Sequence, residues 1–278
     1  MKETRAEHLA VEKMRPFEGH PFKVEDNEEM DQLTWSILTQ GLLTPLVVRP
    51  LANGEYEVIS GHRRLHACKK AGIETVPALI YAIDRDAAAI ALVDSNLQRE
   101  HILPSEKAYA YKLKLEAMNH QGRTSGQVGQ KWTRDEIAEG ESGRQVQRYI
   151  RLTNLIPGIL QKVDEGRIAL TPAVELSYLT EWDQRDLLES MESEDCTPSL
   201  SQAIQMKALS QSGQLDMDKI FSIMTQPKAN QQEKISFKVA ELRDYFPRHY
   251  TAAQMMQEIK VALKERQQRL ARQRDHSR

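Results

Sequence analysis

The chain is nearly without cysteine: Cys68 and Cys196 are the only two among 278 residues, and neither stands at a metal-type spacing from histidine. That rules out a disulfide framework and reads as two reduced, ordinary residues of a cytoplasmic protein. Long apolar runs are missing as well. Nowhere do about 18 consecutive apolar residues occur, and residues 1–14 are charged and lack an apolar h-region, so the sequence predicts neither export nor membrane insertion. An excess of charge of one sign is also absent. With 38 Lys and Arg against 40 Asp and Glu the formal net charge is -2, so any affinity for nucleic acid must come from local clusters of basic residues.

What is present is enough apolar material for two or three domains, 40% hydrophobic and 28% charged. Met30, Leu33, Ile37 and Leu38 recur at helical spacing before Gly41, which predicts a helix between Asp26 and Gln40. Leu46-Val47-Val48-Arg49 and Tyr56-Glu57-Val58-Ile59 flank Asn53-Gly54, the dipeptide of a tight antiparallel hairpin. A short helix after Gly61, ended by Gly72, and a third strand from Val76 to Tyr81 complete a small mixed unit. From Asp86 the pattern is helical, with Pro104 suited to the first turn of a helix running to about Asn119. Gly122 to Gly129 reads as a loop, and a second boundary falls around Gln226 to Glu233. The expected fold class is α+β: a small mixed-sheet domain over 1–100, an all-helical domain over 101–225, and a small α/β or helical domain over 234–278.

Two segments carry chemistry. Gly61-His62-Arg63-Arg64 stands between a strand and a helix, where free N–H groups at the helix start and two guanidinium groups offer a dock for a phosphate chain. A plain strand-to-helix turn with solvated arginines fits the same four letters. Asp94-Ser95-Asn96-Leu97-Gln98-Arg99-Glu100 ends the next helix and is placed to bring Asn96 and Arg99 to the same phosphates, or to be a solvated helix end. The other segment runs from Thr133 to Leu152. Thr133 with Glu136 forms a capping box for a first helix containing Ile137 and Ala138. Gly140 to Ser142 breaks it, and the next helix carries Arg144, Arg148 and Arg151 on one arc with Val146, Tyr149 and Ile150 opposite. Gln145 and Gln147 flank that arc, and arginine and glutamine match the edges of guanine and adenine in the major groove. An ordinary amphipathic helix with a solvated basic face fits equally.

The ordered set Leu43-Thr44-Pro45-Leu46-Val47-Val48-Arg49, Gly61-His62-Arg63-Arg64, Asn96-Leu97-Gln98-Arg99-Glu100 and then Pro104 resembles the ParB partition family over roughly the first two-thirds of the chain. The resemblance extends through the helix-turn-helix to Leu155-Ile156-Pro157 and Gly166-Arg167-Ile168-Ala169-Leu170-Thr171. It implies a CTP pocket in which Thr44 lies on the base and ribose side, Gly61, His62, Arg63 and Arg64 hold phosphates, and Asn96 and Arg99 serve phosphate and Mg²⁺. It implies DNA contacts at Arg144, Gln145, Gln147, Arg148 and Arg151. It also implies double-stranded centromere-like DNA and a ParA-like ATPase as partners, a homodimer, no membrane, and a cytoplasmic, nucleoid-associated location. The family's phosphate turn usually has Glu where His62 stands, and Glu where Ser95 stands, with Asp94 one residue away. Fewer carboxylates mean weaker magnesium binding, so slow or absent CTP hydrolysis is expected.

The C-terminal segment offers a strand over Ile235 to Val239. A long helix from Thr251 follows, with an apolar seam of Met255, Ile259, Ala262 or Leu263, and Leu270. Lys264, Arg266, Arg269, Arg272, Arg274 and Arg278 make its end basic. Three functions stay open: a CTP-responsive dimeric clamp for plasmid, integrative-element or chromosome partition; a transcriptional regulator without a nucleotide switch; and a nucleotide-dependent enzyme of a sulfiredoxin-like fold.

Overall fold

A computed structural model of the protein describes residues 4–124, 141–226, 242, 245–247 and 249–275. The chain packs as two compact units, one ending at Gln226 and the other beginning at Pro227.

The first unit opens with strand β1 (Thr4–Ala10), a short 3-10 turn and strand β2 (Met14–Pro16), followed by helix α1 (Glu28–Gln40). Strands β3 (Leu46–Pro50) and β4 (Tyr56–Ser60), helix α2 (His62–Lys70) and strand β5 (Thr75–Tyr81) follow. The five strands lie in the order β1-β5-β3-β4-β2. β3 and β4 are the antiparallel hairpin expected from Asn53-Gly54, with Val48 opposite Val58. β5 runs parallel to β3 and antiparallel to β1, and β2 runs parallel to β4. The sequence predicted three strands. The two it missed are the sheet's edges: β1 pairs only through β5, and β2 is a three-residue piece that pairs with a strand about 40 positions on.

Alternation along the strands divides the sheet into two buried faces. Leu46, Val48 and Val58 pack with Met30, Ile37, Leu65 and Cys68 beneath α1 and α2. Val47 and Ile59 serve the other face, where Phe17 and Phe22 meet Ala88, Ala89, Leu92 and Val93 of helix α3 (Arg85–Leu97) and Ala110 and Ala117 of helix α4 (Pro104–Thr124). Each fully buried Val, Leu, Ile, Phe or Met among them contributes about 1.5–3 kcal/mol, and each alanine less. Helix α4 passes through Gly122 to Thr124, where a loop was expected, and the remainder of that expected loop lies outside the described residues.

Helices α5 (Gly143–Arg151), α6 (Pro157–Asp164), α7 (Leu170–Leu176), α8 (Glu181–Ser193), α9 (Leu200–Gln211) and α10 (Met217–Met224) follow. Leu152, Ile159, Leu176, Leu187, Met191 and Met206 form their common core, which Ala108 of α4 joins. Buried Gln184 stitches this core by accepting from the Ile156 N–H (2.8 Å) and donating to the carbonyls of Asn154 and Leu179. Asp164, at the end of α6, caps the start of α4 from outside: the Ser105 N–H and hydroxyl donate to its two carboxylate oxygens at 2.9 and 2.6 Å. An N–H of the first helical turn has no partner within its own helix, so this carboxylate completes α4.

In the second unit, helix α11 (Ala252–Asp275) begins where a long helix was expected. Met255 is buried, while Met256, Val261 and Leu263 are exposed. The expected strand over Ile235 to Val239 lies outside the described residues. No described helix is long and apolar enough to cross a membrane.

Candidate functional site

The turn from β4 into α2 needs a residue free to adopt a left-handed backbone. Gly61 has φ +103° and leaves no room for a side chain, because a Cβ there would lie 2.5 Å from Leu46 Cδ2 and 3.0 Å from Arg64 Nη2. Arg64 folds back beneath this turn, its Nη1 donating to the carbonyls of Thr44 (2.6 Å) and Pro45 (3.0 Å). Burial holds its guanidinium below the usual arginine range. Arg63 points to the outside and donates to Glu29 of α1 at 2.9 Å.

Above the turn is a cavity of about 400 Å³ lined by Leu33, Ser60, Gly61, His62, Arg63, Arg64, Ser95, Asn96 and Arg99. Six of the seven residues read from the sequence as nucleotide ligands therefore converge, although more than thirty positions separate Gly61 from Asn96. Thr44 does not line the cavity; it is exposed, and its carbonyl serves Arg64. Arg63 and Arg99 also line a second cavity of about 480 Å³, with Lys23, Glu25, Asn27, Glu100, His101, Ile102, Leu103 and Glu106. Arg99 stacks over Phe22 at 5.4 Å.

His62 turns inward. Its Nε2 accepts from the Phe17 N–H at 3.3 Å, and its ring lies 3.7 Å from that of His20, tilted by 32°. Burial lowers the His62 pKa to about 3, with His20 and Arg99 pushing the same way and a hydrogen bond to the Val58 backbone opposing. Burial likewise lowers His20 to about 4. The pair is neutral at physiological pH, and sequence reasoning missed it because nothing local links positions 20 and 62.

Asn96 is buried at the end of α3, and its Nδ2 donates to Leu92 O at 2.7 Å and to Ser95 Oγ at 3.3 Å. Asp94 does not stand in for the carboxylate missing at Ser95, since it is paired with the buried Lys114 of α4 at 2.6 Å. No carboxylate lines the smaller cavity, and no group of three or more His, Cys, Asp or Glu among the described residues is placed to hold a metal ion. The donor set suits a polyanion. It does not suit a magnesium ion held by protein oxygens alone.

The first helix of the expected helix-turn-helix, with Thr133 and Glu136, lies outside the described residues. The second is α5, capped by Ser142, whose hydroxyl accepts from the Gln145 N–H. Val146 packs with Tyr111 and Met118 of α4. Arg144 is exposed, whereas Arg148 donates to Gln145 (3.1 Å) and Thr171 (2.6 Å). Arg151 leans further in, donating to Ser177 Oγ (3.2 Å) and Ser177 O (2.8 Å). Gln147 is half-buried.

An α+β domain with a guanidinium-lined cavity, followed in the chain by helices bearing a basic segment, is the class of protein these features define. The ParB N-terminal domain family matches residues 1–97. The nucleoid occlusion protein of Geobacillus kaustophilus is 39% identical over 110 residues, covering 39% of each chain. The chromosome-partitioning protein Spo0J of Thermus thermophilus is 34% identical over 186 residues, covering 65% of this chain and 64% of that one. The probable chromosome-partitioning protein ParB of Vibrio cholerae is 29% identical over 238 residues, 84% and 77% of the two chains. The chain thus spans 39% and 64% of the lengths of the first two relatives. Among solved structures, C-terminally truncated ParB from Caulobacter crescentus complexed to the centromeric parS site aligns with a TM-score of 0.43 at 23% identity, over 74% of this chain and 99% of that one. Residues 1–97 are thus a ParB N-terminal domain, and the similarity to chromosome-partitioning proteins runs on into the helices that follow it.

Proposed function

We propose that this chain is a ParB-type protein for the partition of plasmid, integrative-element or chromosomal DNA, acting as a CTP-responsive dimeric clamp on centromere-like DNA with a ParA-like ATPase as partner. The division of labour is residues 1–100 for nucleotide, 101–225 for DNA and 234–278 for self-association through the apolar seam of α11. The observation that carries this reading is the convergence of Arg63, Arg64 and Arg99 on one cavity around the left-handed Gly61, with no carboxylate in its lining. Cations gathered in a partly dry cavity favour an anionic ligand, and free N–H groups at a helix start favour phosphate. Arg63 and Arg99 hold the phosphates, while Arg64 fixes the turn. Magnesium arrives on the triphosphate. On DNA, Arg144, Gln145, Gln147, Arg148 and Arg151 make the contacts, Arg151 from a position held by its hydrogen bonds to Ser177.

Titration calorimetry with CTP, ATP, GTP and UTP, run with and without duplex from the native locus, tests both halves. CTP heats that are strengthened by DNA are the expected result. Retention of neither nucleotide nor duplex at low salt would overturn the reading. Arg144→Ala or Arg148→Ala should weaken DNA binding by about 1–3 kcal/mol if the residue reads a base, or flatten the salt slope if it meets phosphate.

A transcriptional regulator without a nucleotide switch is the second reading, and His62 favours it. An imidazole already hydrogen-bonded to Phe17 and stacked on His20 presents neither charge nor base to a ligand. Crosslinking of the N-terminal domains that depends on CTP separates the two. An enzyme that uses Cys68 as nucleophile is disfavoured, because that thiol is fully buried and burial raises its pKa.

A further inference from the structure

The basic side of α5 is fastened to neighbouring helices, and the fastening gathers a further cation. The Arg151 guanidinium lies 3.9 Å from the ring centre of Tyr178, just past α7, and the Lys207 ammonium of α9 lies 3.8 Å from the same centre. Lys207 also pairs with Glu175 of α7 at 2.8 Å, each side chain 25% exposed, while Tyr178 is 40% exposed. Three elements far apart in sequence therefore bring two positive charges onto one half-open ring.

The negative face of an aromatic ring attracts a cation. Two cations on one ring repel each other, and Glu175 balances only one of them. The cluster keeps a net positive charge at its surface beside a phenol hydroxyl. Arg151 belongs to both α5 and this cluster, and Arg148, bonded to Thr171, lies one helical turn before it.

We propose that Lys207, Tyr178 and Arg151 form a ledge that contacts the phosphate backbone of duplex DNA beside the groove entered by α5, with Glu175 as a built-in competitor for Lys207. This rests on the DNA-binding reading above and extends it to α7 and α9, which carry none of the contacts inferred from the sequence. The ring fixes both cations in advance, so less side-chain freedom is lost when phosphate arrives.

Two opposite substitutions test the ledge in the full-length protein, by fluorescence anisotropy on a random-sequence duplex across a salt series. Lys207→Gln should weaken binding and lower the slope of log affinity against log salt by about 1. Glu175→Gln should strengthen binding about two- to fivefold, the range of a released surface ion pair. A gain of affinity is not what loss of a merely structural contact gives, and thermal unfolding of both variants checks the fold. Wild-type binding with both variants unchanged in affinity and slope would overturn the ledge alone. Wild-type protein that binds no duplex at low salt would overturn the DNA-binding reading and the ledge with it.

Discussion

Acid should loosen the N-terminal domain through its stacked histidines, and the size of the effect follows from the two depressed pKa values. In the folded chain His20 and His62 titrate at about 4 and about 3, against 6.5 for a free imidazole. Below about 6.5 the unfolded chain takes up two protons that the folded chain refuses until about 4. Stability is therefore complete above 6.5, falls as pH drops through this window, and is lost once the folded values are passed. The slope is about 1.4 kcal/mol per pH unit for each group, giving about 2 kcal/mol each at roughly pH 5. Partial solvent access to His20 reduces its share, so the pair accounts for about 2–4 kcal/mol there. Urea unfolding between roughly pH 7.5 and 5, on wild type and on the double variant His20→Asn, His62→Gln, isolates this contribution, because other titrating groups cancel in the difference. The variant should close the gap or overtake wild type as pH falls. A difference that stays constant over that range would refute the assignment of two neutral, desolvated imidazoles.

Gly61→Ala should cost about 2–4 kcal/mol, combining left-handed strain with an overpacked contact against Leu46, and should reduce nucleotide retention in the same sample. Chemical denaturation and calorimetry read both. Arg99→Ala should weaken nucleotide binding about 10- to 100-fold, the worth of a charge-assisted contact, with little change in melting temperature. Ser105→Ala should destabilise the protein by about 1 kcal/mol, and Asp164→Ala by more, because only the second strips the N–H of α4 of its acceptor as well.

The hairpin and α2 were legible because their signals are local: Asn53-Gly54 sets the turn, alternation sets the faces, and Gly61 marks the bend into a helix. β1 was not, since Thr4–Ala10 carries Arg5, Glu7 and His8 and acquires strand character only by pairing with β5. The cavity was legible as residues and less so as geometry. Arg63, Asn96 and Arg99 line it as read, but the sequence did not say that Arg64 would turn under the glycine or that Thr44 would lend only a carbonyl. Helical periodicity likewise put Arg144, Arg148 and Arg151 on one arc. It carried no information on Thr171 of α7 and Ser177 just past its end, which engage two of the three. In each case the missing information was a contact between residues distant in the chain, which no window of sequence contains.

Arg64 has a consequence for how the pocket tolerates change. One planar side chain grips two successive carbonyls of the segment entering β3, so the glycine bend is braced before any ligand comes near. Both bonds come from Nη1, which the guanidinium plane holds in a fixed direction, and a lysine ammonium has the charge but not that planarity. An Arg64→Lys protein would keep its formal electrostatics while its empty pocket became slack.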